Sequence, residues 1–307
     1  MERRALGRTG LEVGEIGFGA WAISGRGYGA TDDRESLRAI RRALELGVDF
    51  IDTADVYGDG RSERLIGRVL RERGDRKTRV ATKFGWDFYG GVYRSNLRRE
   101  YVEFALGESL KRLGREWIDL YQVHDSDPRA LERSGVFETL ERLKETGKIK
   151  AWGVSAHRVE DGIYAIRAGD PDVIQVAYNI LQREAEDVLF PLALERGTGI
   201  IAREPLACGL ITGKYNGSST FPEGDHRRSW SREQLAEGAR KVARLGFLAT
   251  PERTLVQAAI RFALSHPAVS VVIPGAKTVE QVEENVGAAG VTLSGEELRK
   301  AMEAAGG

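Results

Sequence analysis

Cysteine is nearly absent from this 307-residue chain, where Cys208 stands alone. A single thiol excludes an intramolecular disulfide framework and suits a reducing compartment. Metal-binding patterns are missing too. The four histidines show no HxxxH spacing and have no cysteine partner, so no zinc site is expected. Neither sign of charge is in excess, because 46 Lys and Arg balance 46 Asp and Glu. A nucleic-acid or anionic-membrane partner would need a net basic surface, so neither is expected. No apolar run reaches the ~18 residues of a membrane span, and the Met-Glu-Arg-Arg start lacks an apolar leader core. These absences predict a cytoplasmic protein without metal, membrane or nucleic-acid partner. No low-complexity tract or linker divides the chain, and residues 1–307 read as one domain.

What is present is a repeated unit. A hairpin opens the chain, with residues 3–6 and 11–16 flanking the turn composition Gly7-Arg8-Thr9-Gly10. Short apolar runs then lie near 16–19, 48–51, 80–82, 118–123, 151–154, 173–177, 199–202 and 269–273. Helical periodicity follows them at 33–46, 62–73, 99–113, 136–146, 159–168, 185–196, 254–264 and 279–288. Thr31-Asp32 supplies a cap for the first helix, and Gly47 a stop. Eight strand–helix units predict an α/β fold, a (β/α)₈ TIM barrel with an N-terminal β-hairpin. One connection breaks the rhythm. Residues 204–250 separate the seventh strand from its helix, far more than the usual ~2–6 residues, and read as a functional loop.

Gly25-Arg26-Gly27-Tyr28-Gly29-Ala30 matches the glycine fingerprint of a dinucleotide-binding Rossmann unit, with Asp52 about twenty residues on. In that fingerprint the glycines open the helix, whereas here the capping signal follows them. The segment reads better as a loop over the barrel mouth.

In such a barrel the active site lies at the C-terminal strand ends. The second strand leads into Asp52-Thr53-Ala54-Asp55-Val56-Tyr57-Gly58, the third into Lys83, and the fourth into His124. Three adjacent strands thus bring Asp, Tyr, Lys and His to one rim. Reducing a carbonyl by hydride transfer leaves an alkoxide, which needs a proton and a positive field. A free tyrosine titrates near ~10 and is a reluctant acid at neutral pH. A lysine ammonium ~4 Å away contributes up to ~4 kcal/mol at an effective dielectric near 20, enough to lower a tyrosine by as much as ~3 units. A carboxylate such as Asp52 holds the lysine charged, and a neutral histidine can bond the substrate oxygen.

These residues resemble the signatures of the aldo-keto reductase family. The likeness runs from Gly10-Leu11-Glu12-Val13 to Ile273-Pro274-Gly275-Ala276-Lys277. It implies a catalytic tetrad of Asp52, Tyr57, Lys83 and His124, and a nicotinamide cofactor, NADPH in most members. Gly19-Ala20-Trp21, after the first strand, resembles the segment that backs the nicotinamide ribose. Ser155 and Gln175 take positions that bind the carboxamide. Pro205, Leu206, Ala207, Cys208 and Lys214 match the loop over the pyrophosphate. Gly275, Lys277, Gln281, Glu284 and Asn285 match the adenosine end, where a helix start suits a phosphate. Lys277 is expected to meet a 2′-phosphate, favouring NADPH, with NADH as the weaker partner. Three positions depart from the pattern: Ala156 replaces a frequent asparagine, Gln281 a frequent arginine, and Arg203 the aromatic ring after the seventh strand. Arg203 either stacks on the nicotinamide in that ring's place or pairs with Glu204 or a phosphate.

For a substrate the sequence offers an aromatic rim. Trp21, Tyr28, Trp86 and Tyr89 lead it, with Phe88, Tyr93, Phe221 and Trp230 in the same loops. Such a rim suits small aromatic or aliphatic carbonyl compounds. Two other functions stay open at this stage. One is a cofactor-sensing regulatory subunit of the same fold, and the other a Schiff-base enzyme using Lys83. Cys208 itself lies in an apolar stretch and reads as a small buried side chain.

Overall fold

The computed structural model describes residues 1–124 and 127–306. Strands β1 (Arg3–Ala5) and β2 (Glu12–Gly14) form the expected antiparallel hairpin. The barrel strands are β3 (Phe18–Gly19), β4 (Phe50–Asp52), β5 (Arg79–Phe84), β8 (Ile118–His124), β9 (Ile149–Ser155), β10 (Val173–Ala177), β11 (Gly199–Arg203) and β12 (Val269–Val272). They pair in parallel, in chain order. The sheet closes on itself where Gly17 N–H donates to Val272 O at 2.8 Å and Gly19 N–H to Pro274 O at 3.1 Å. All eight strands lie where the apolar runs predict them. A second hairpin, β6 (Trp86–Asp87) and β7 (Arg94–Ser95), stands over the barrel mouth.

Helices α1 (Asp33–Glu45), α2 (Arg61–Glu72), α3 (Arg99–Leu113), α5 (Val136–Glu145), α6 (Val159–Gly169), α7 (Leu189–Arg196), α9 (Leu255–Ser265) and α10 (Val279–Val286) return the chain between strands or close it. Asp32 caps α1 by accepting from Glu35 N–H, as its position before the periodic stretch implies. Helix α7, the sixth of the expected helices, starts later than 185. A 3-10 turn at Glu184–Glu186 precedes it, and Val188 adopts a non-helical backbone that separates the two.

Three helices were not expected: α4 (Pro128–Ser134), α8 (Arg232–Arg244) and α11 (Gly295–Gly306). The segment after β11 is therefore long but not irregular throughout. Ser231 and Gln234 form a capping box at the start of α8, and Leu235, Gly238 and Val242 bury one face of it.

Strand alternation divides the barrel interior into layers. Phe50, Ala81, Leu120, Ala151, Val173, Ile201 and Val271 pack its lower half, and Leu6 and Val13 of the first hairpin join that cluster. Two residues further along the same strands point inward again. They are Asp52, Lys83, Gln122 and Gln175, and all four are buried. A polar layer thus sits on an apolar plug, just below the mouth.

Candidate active site

Lys83 is fully buried, and its ammonium is fully bonded. Its Nζ donates to Asp52 Oδ2 at 2.6 Å, to Thr53 O at 2.9 Å and to the Tyr57 hydroxyl at 3.3 Å. Burial works against the charge, but Asp52 and Tyr57 outweigh it and hold the lysine above its ordinary value. The other carboxylate oxygen of Asp52 accepts from Gln175 Nε2 at 2.7 Å and Gln122 Nε2 at 3.1 Å. Asp52 is thereby fixed from three strands. Tyr57 sits on the turn between β4 and α2, its ring edge-on to His124 with centroids 5.7 Å apart. All four expected residues meet at one place. A hydroxyl that accepts from an ammonium keeps its own proton to donate, and here it does so inside a cleft.

That cleft has two chambers. The inner one, about 480 Å³, is lined by Trp21, Tyr28, Asp52, Tyr57, Trp86, Tyr93, His124, Ser155, Gln175 and Arg203, among others. The outer one, about 330 Å³, takes Pro205, Leu206, Cys208, Lys214, Lys277, Gln281, Glu284 and Asn285. Ala22, Tyr28, Glu204 and Gly275 line both, which makes one continuous channel from the tetrad to the start of α10. Thr278 caps α10 by accepting from Gln281 N–H.

Several expected residues lie elsewhere or carry other bonds. Ala207 lines neither chamber; its left-handed backbone, φ 48°, turns the chain instead. Glu204 and Cys208 share that conformation at φ 56° and 54°, a concentration of backbone strain typical of functional loops. Tyr89 faces away from the cleft. Its hydroxyl accepts from Arg112 Nη1 at 3.0 Å, and its ring packs on Phe88 and Phe104. The mouth hairpin alternates sides, so Tyr89 and Tyr93 end on different faces, and only Tyr93 reaches the inner chamber. Phe221 and Trp230 brace the segment after β11 against each other, with centroids 6.1 Å apart. The Gln175 amide nitrogen is committed to Asp52 and Gln122, which leaves its oxygen to face the cleft.

Arg203 is held by its neighbours. It forms an ion pair with Glu204, and its Nη2 donates to Ala156 O at 3.0 Å. Of the two readings open for this residue, the geometry favours the pair with Glu204. Cys208, expected to be buried, is half-buried at the wall of the outer chamber, and burial and then Glu204 push its thiol up to about 12.

Sequence reasoning missed Arg227, Gln122 and Arg26. Arg227 enters the outer chamber from a 3-10 turn. Asp225 binds it through Nε at 3.0 Å and Nη2 at 2.7 Å, and its guanidinium lies over the rings of Tyr28, Tyr215 and Phe221. With Lys214 and Lys277 it makes three cations around one chamber. Lys277 is thus not the lone cation there. Burial and the Arg227 charge lower its pKa, and its Nζ donates to Tyr28 O. No local pattern marks Arg227. Gln122 does carry a signal, since it precedes His124 by one strand period.

Behind the tetrad lies Asp55, buried, with neither carboxylate oxygen bonded. Burial and then the nearby Glu63 charge push it well above the usual carboxylate range. A carboxyl raised on folding holds a proton that the unfolded chain has released. Stability must therefore fall as pH rises from ~3.9 toward the raised value, by about 1.4 kcal/mol per pH unit. Asp55→Asn removes that slope. Thermal melts at stepped pH should show the variant gaining on the parent as pH rises, with little difference at pH 4. Parallel curves would show that Asp55 does not titrate this way.

The Aldo/keto reductase family model matches residues 15–305. The aldo-keto reductase YhdN of Bacillus subtilis is 34% identical, covering 97% of this chain and 92% of its own. The aldo-keto reductase yakc [NADP(+)] of Schizosaccharomyces pombe is 32% identical over 95% of this chain and 88% of its own. Among solved structures, the holo form of the aldo-keto reductase AKR11C1 from Bacillus halodurans superposes with a TM-score of 0.82 at 30% identity, covering 99% of this chain and 96% of its own. No helix among the described residues is long and apolar enough to cross a membrane. On this likeness across nearly its whole length, the chain belongs to the aldo/keto reductase family and is a nicotinamide-dependent oxidoreductase.

Proposed function

We propose that this protein reduces small aldehydes or ketones to alcohols with NADPH, and that Tyr57 delivers the proton. The observation that carries the reading is the buried Lys83 ammonium, 2.6 Å from Asp52 and 3.3 Å from the Tyr57 hydroxyl, two residues that line the inner chamber. The channel fits a dinucleotide. The three cations of its outer chamber support phosphate binding, and Ser155 and Gln175 in the lining of the inner chamber support carboxamide binding there. When bound, the reduced nicotinamide supplies a hydride to the carbonyl carbon. Tyr57 and His124 hold the carbonyl oxygen, Lys83 favours the developing negative charge, and Tyr57 gives up its proton. Asp52 keeps Lys83 charged and aimed.

Asp52 also argues against Schiff-base chemistry, which needs a lysine with a lowered pKa. Steady-state NADPH oxidation against a panel of aldehydes and ketones tests the proposal. Tight NADPH binding with no turnover of any carbonyl would favour the cofactor-sensing reading instead.

Coenzyme choice gives a separate expectation. The Schizosaccharomyces pombe relative carries NADP(+) in its name, and the three cations support the same coenzyme here. Lys277→Ala should weaken NADPH by about 1–2 kcal/mol, a charge-assisted contact, while NADH changes little. Titration of intrinsic fluorescence with each coenzyme measures this. Equal losses would show that Lys277 does not discriminate.

A further inference from the structure

Three loops meet over the substrate end of the inner chamber, and one small polar cluster joins them. Arg26 comes from the loop after β3, Asp59 from the loop after β4, and Tyr93 from the mouth hairpin after β5. The Arg26 guanidinium reaches Asp59 through Nη2 at 2.8 Å and Nη1 at 3.2 Å. The Tyr93 hydroxyl accepts from Arg26 and donates to Asp59. Arg26 and Tyr93 line the same chamber as Tyr57 and His124.

Two of these arms pack against each other. Arg26 lies between Gly25 and Gly27, at φ 80° and 85°, and Asp59 lies between Gly58 and Gly60, at φ 62° and 81°. A Cβ on Gly58 would stand 2.3 Å from Ser24 O, so the two loops pack backbone against backbone. Ser24 Oγ also donates to Arg26 O at 2.8 Å and fixes that loop internally. The third arm differs. The hairpin turns through Gly90 and Gly91, where an added Cβ meets nothing within 4 Å, and Val92 at its tip is 70% exposed. Tyr93, 45% exposed, ties this arm to the other two. An exposed cluster of this kind contributes little stability, so it can open at low cost.

We propose that Arg26, Asp59 and Tyr93 form a latch over the substrate end of the cleft, and that Tyr93 limits the size of carbonyl compound accepted. Short substrates fit beneath the closed latch. Bulky aromatic ones require the hairpin to lift. This rests on the reductase reading above and names a specificity determinant for it. The glycine-rich segment 25–29, which imitates a dinucleotide fingerprint in sequence, thereby acquires a role as the fixed post of the latch.

The test compares propanal with 2-naphthaldehyde in the parent, Tyr93→Phe and Tyr93→Ala. Tyr93→Phe removes the latch bonds and keeps the ring, so the naphthaldehyde/propanal ratio of kcat/KM should rise by about threefold, an exposed polar contact. Tyr93→Ala also removes the ring and should raise that ratio by about tenfold or more, the scale of a reshaped pocket. The dissociation constant for NADPH should stay put in both. Collisional quenching of tryptophan by acrylamide supplies a readout free of turnover, because Trp21 and Trp86 line the chamber. Quenching should increase in the order parent, Tyr93→Phe, Tyr93→Ala. A selectivity ratio within twofold of the parent in Tyr93→Ala overturns the latch. If the parent reduces neither aldehyde, the reductase reading fails instead, and unchanged quenching in both variants then overturns the latch on its own.

Discussion

Tyr57→Phe should lower kcat by ~10²–10⁴-fold while the dissociation constant for NADPH barely moves. The lower bound corresponds to about 2.7 kcal/mol of barrier, the loss of one positioned proton donor. The variant keeps the ring and with it the edge-on contact to His124, so the fold is not at stake. What disappears is a hydroxyl that Lys83 polarises from 3.3 Å. Asp52 and Lys83 cannot substitute for it. Asp52 is bonded to Lys83, Gln122 and Gln175, and Lys83 is fixed by three acceptors below the cleft. His124 borders the same chamber and is the one residue able to protonate an alkoxide weakly. Stopped-flow or steady-state measurement of NADPH oxidation, with a separate titration of NADPH binding, checks both parts. A variant keeping most of its kcat would remove Tyr57 from the proton-donor role.

The barrel was legible because its two periodicities are local. Each strand is a short apolar run buried on both sides, and each barrel helix carries one apolar face, so neighbours in sequence carry the signal. The tetrad was legible for the same reason, since each member lies at a strand end or in the first turn beyond it. What escaped depends on partners far apart in the chain. Arg227 reaches the outer chamber only because Asp225, Tyr28, Tyr215 and Phe221 hold it there. Tyr89 and Tyr93 belong to one hairpin of similar composition, and only the pairing of Trp86 with Ser95 decides which faces the cleft. Arg203 illustrates the limit well. Its identity permitted stacking or pairing, and Glu204 beside it settles the geometry through a backbone at φ 56° that no sequence rule for glutamate suggests. The helix α8, in contrast, was missed although Ser231 and Gln234 announce it, because the surrounding segment reads as one long loop.

Lys83→Met should cost both activity and stability, and the two losses can be separated. Lys83 is wholly buried and Asp52 nearly so, with side-chain exposures of 0% and 4%. Removing the ammonium leaves the Asp52 carboxylate with only two amide donors in the barrel interior. Breaking one side of a buried pair typically costs ~3–5 kcal/mol, because the remaining charge is uncompensated. Met matches the lysine stem in length, so little of that cost comes from a cavity. Denaturant unfolding of variant and parent at neutral pH should show that loss. Lys83→Met combined with Asp52→Asn removes the stranded charge and should recover most of the stability. It should recover none of the turnover, because the Tyr57 hydroxyl still lacks its cation. If the double variant regains activity along with stability, Lys83 acts only as structural support for the barrel. If neither returns, the damage lies in packing, and the buried charge was not its cause.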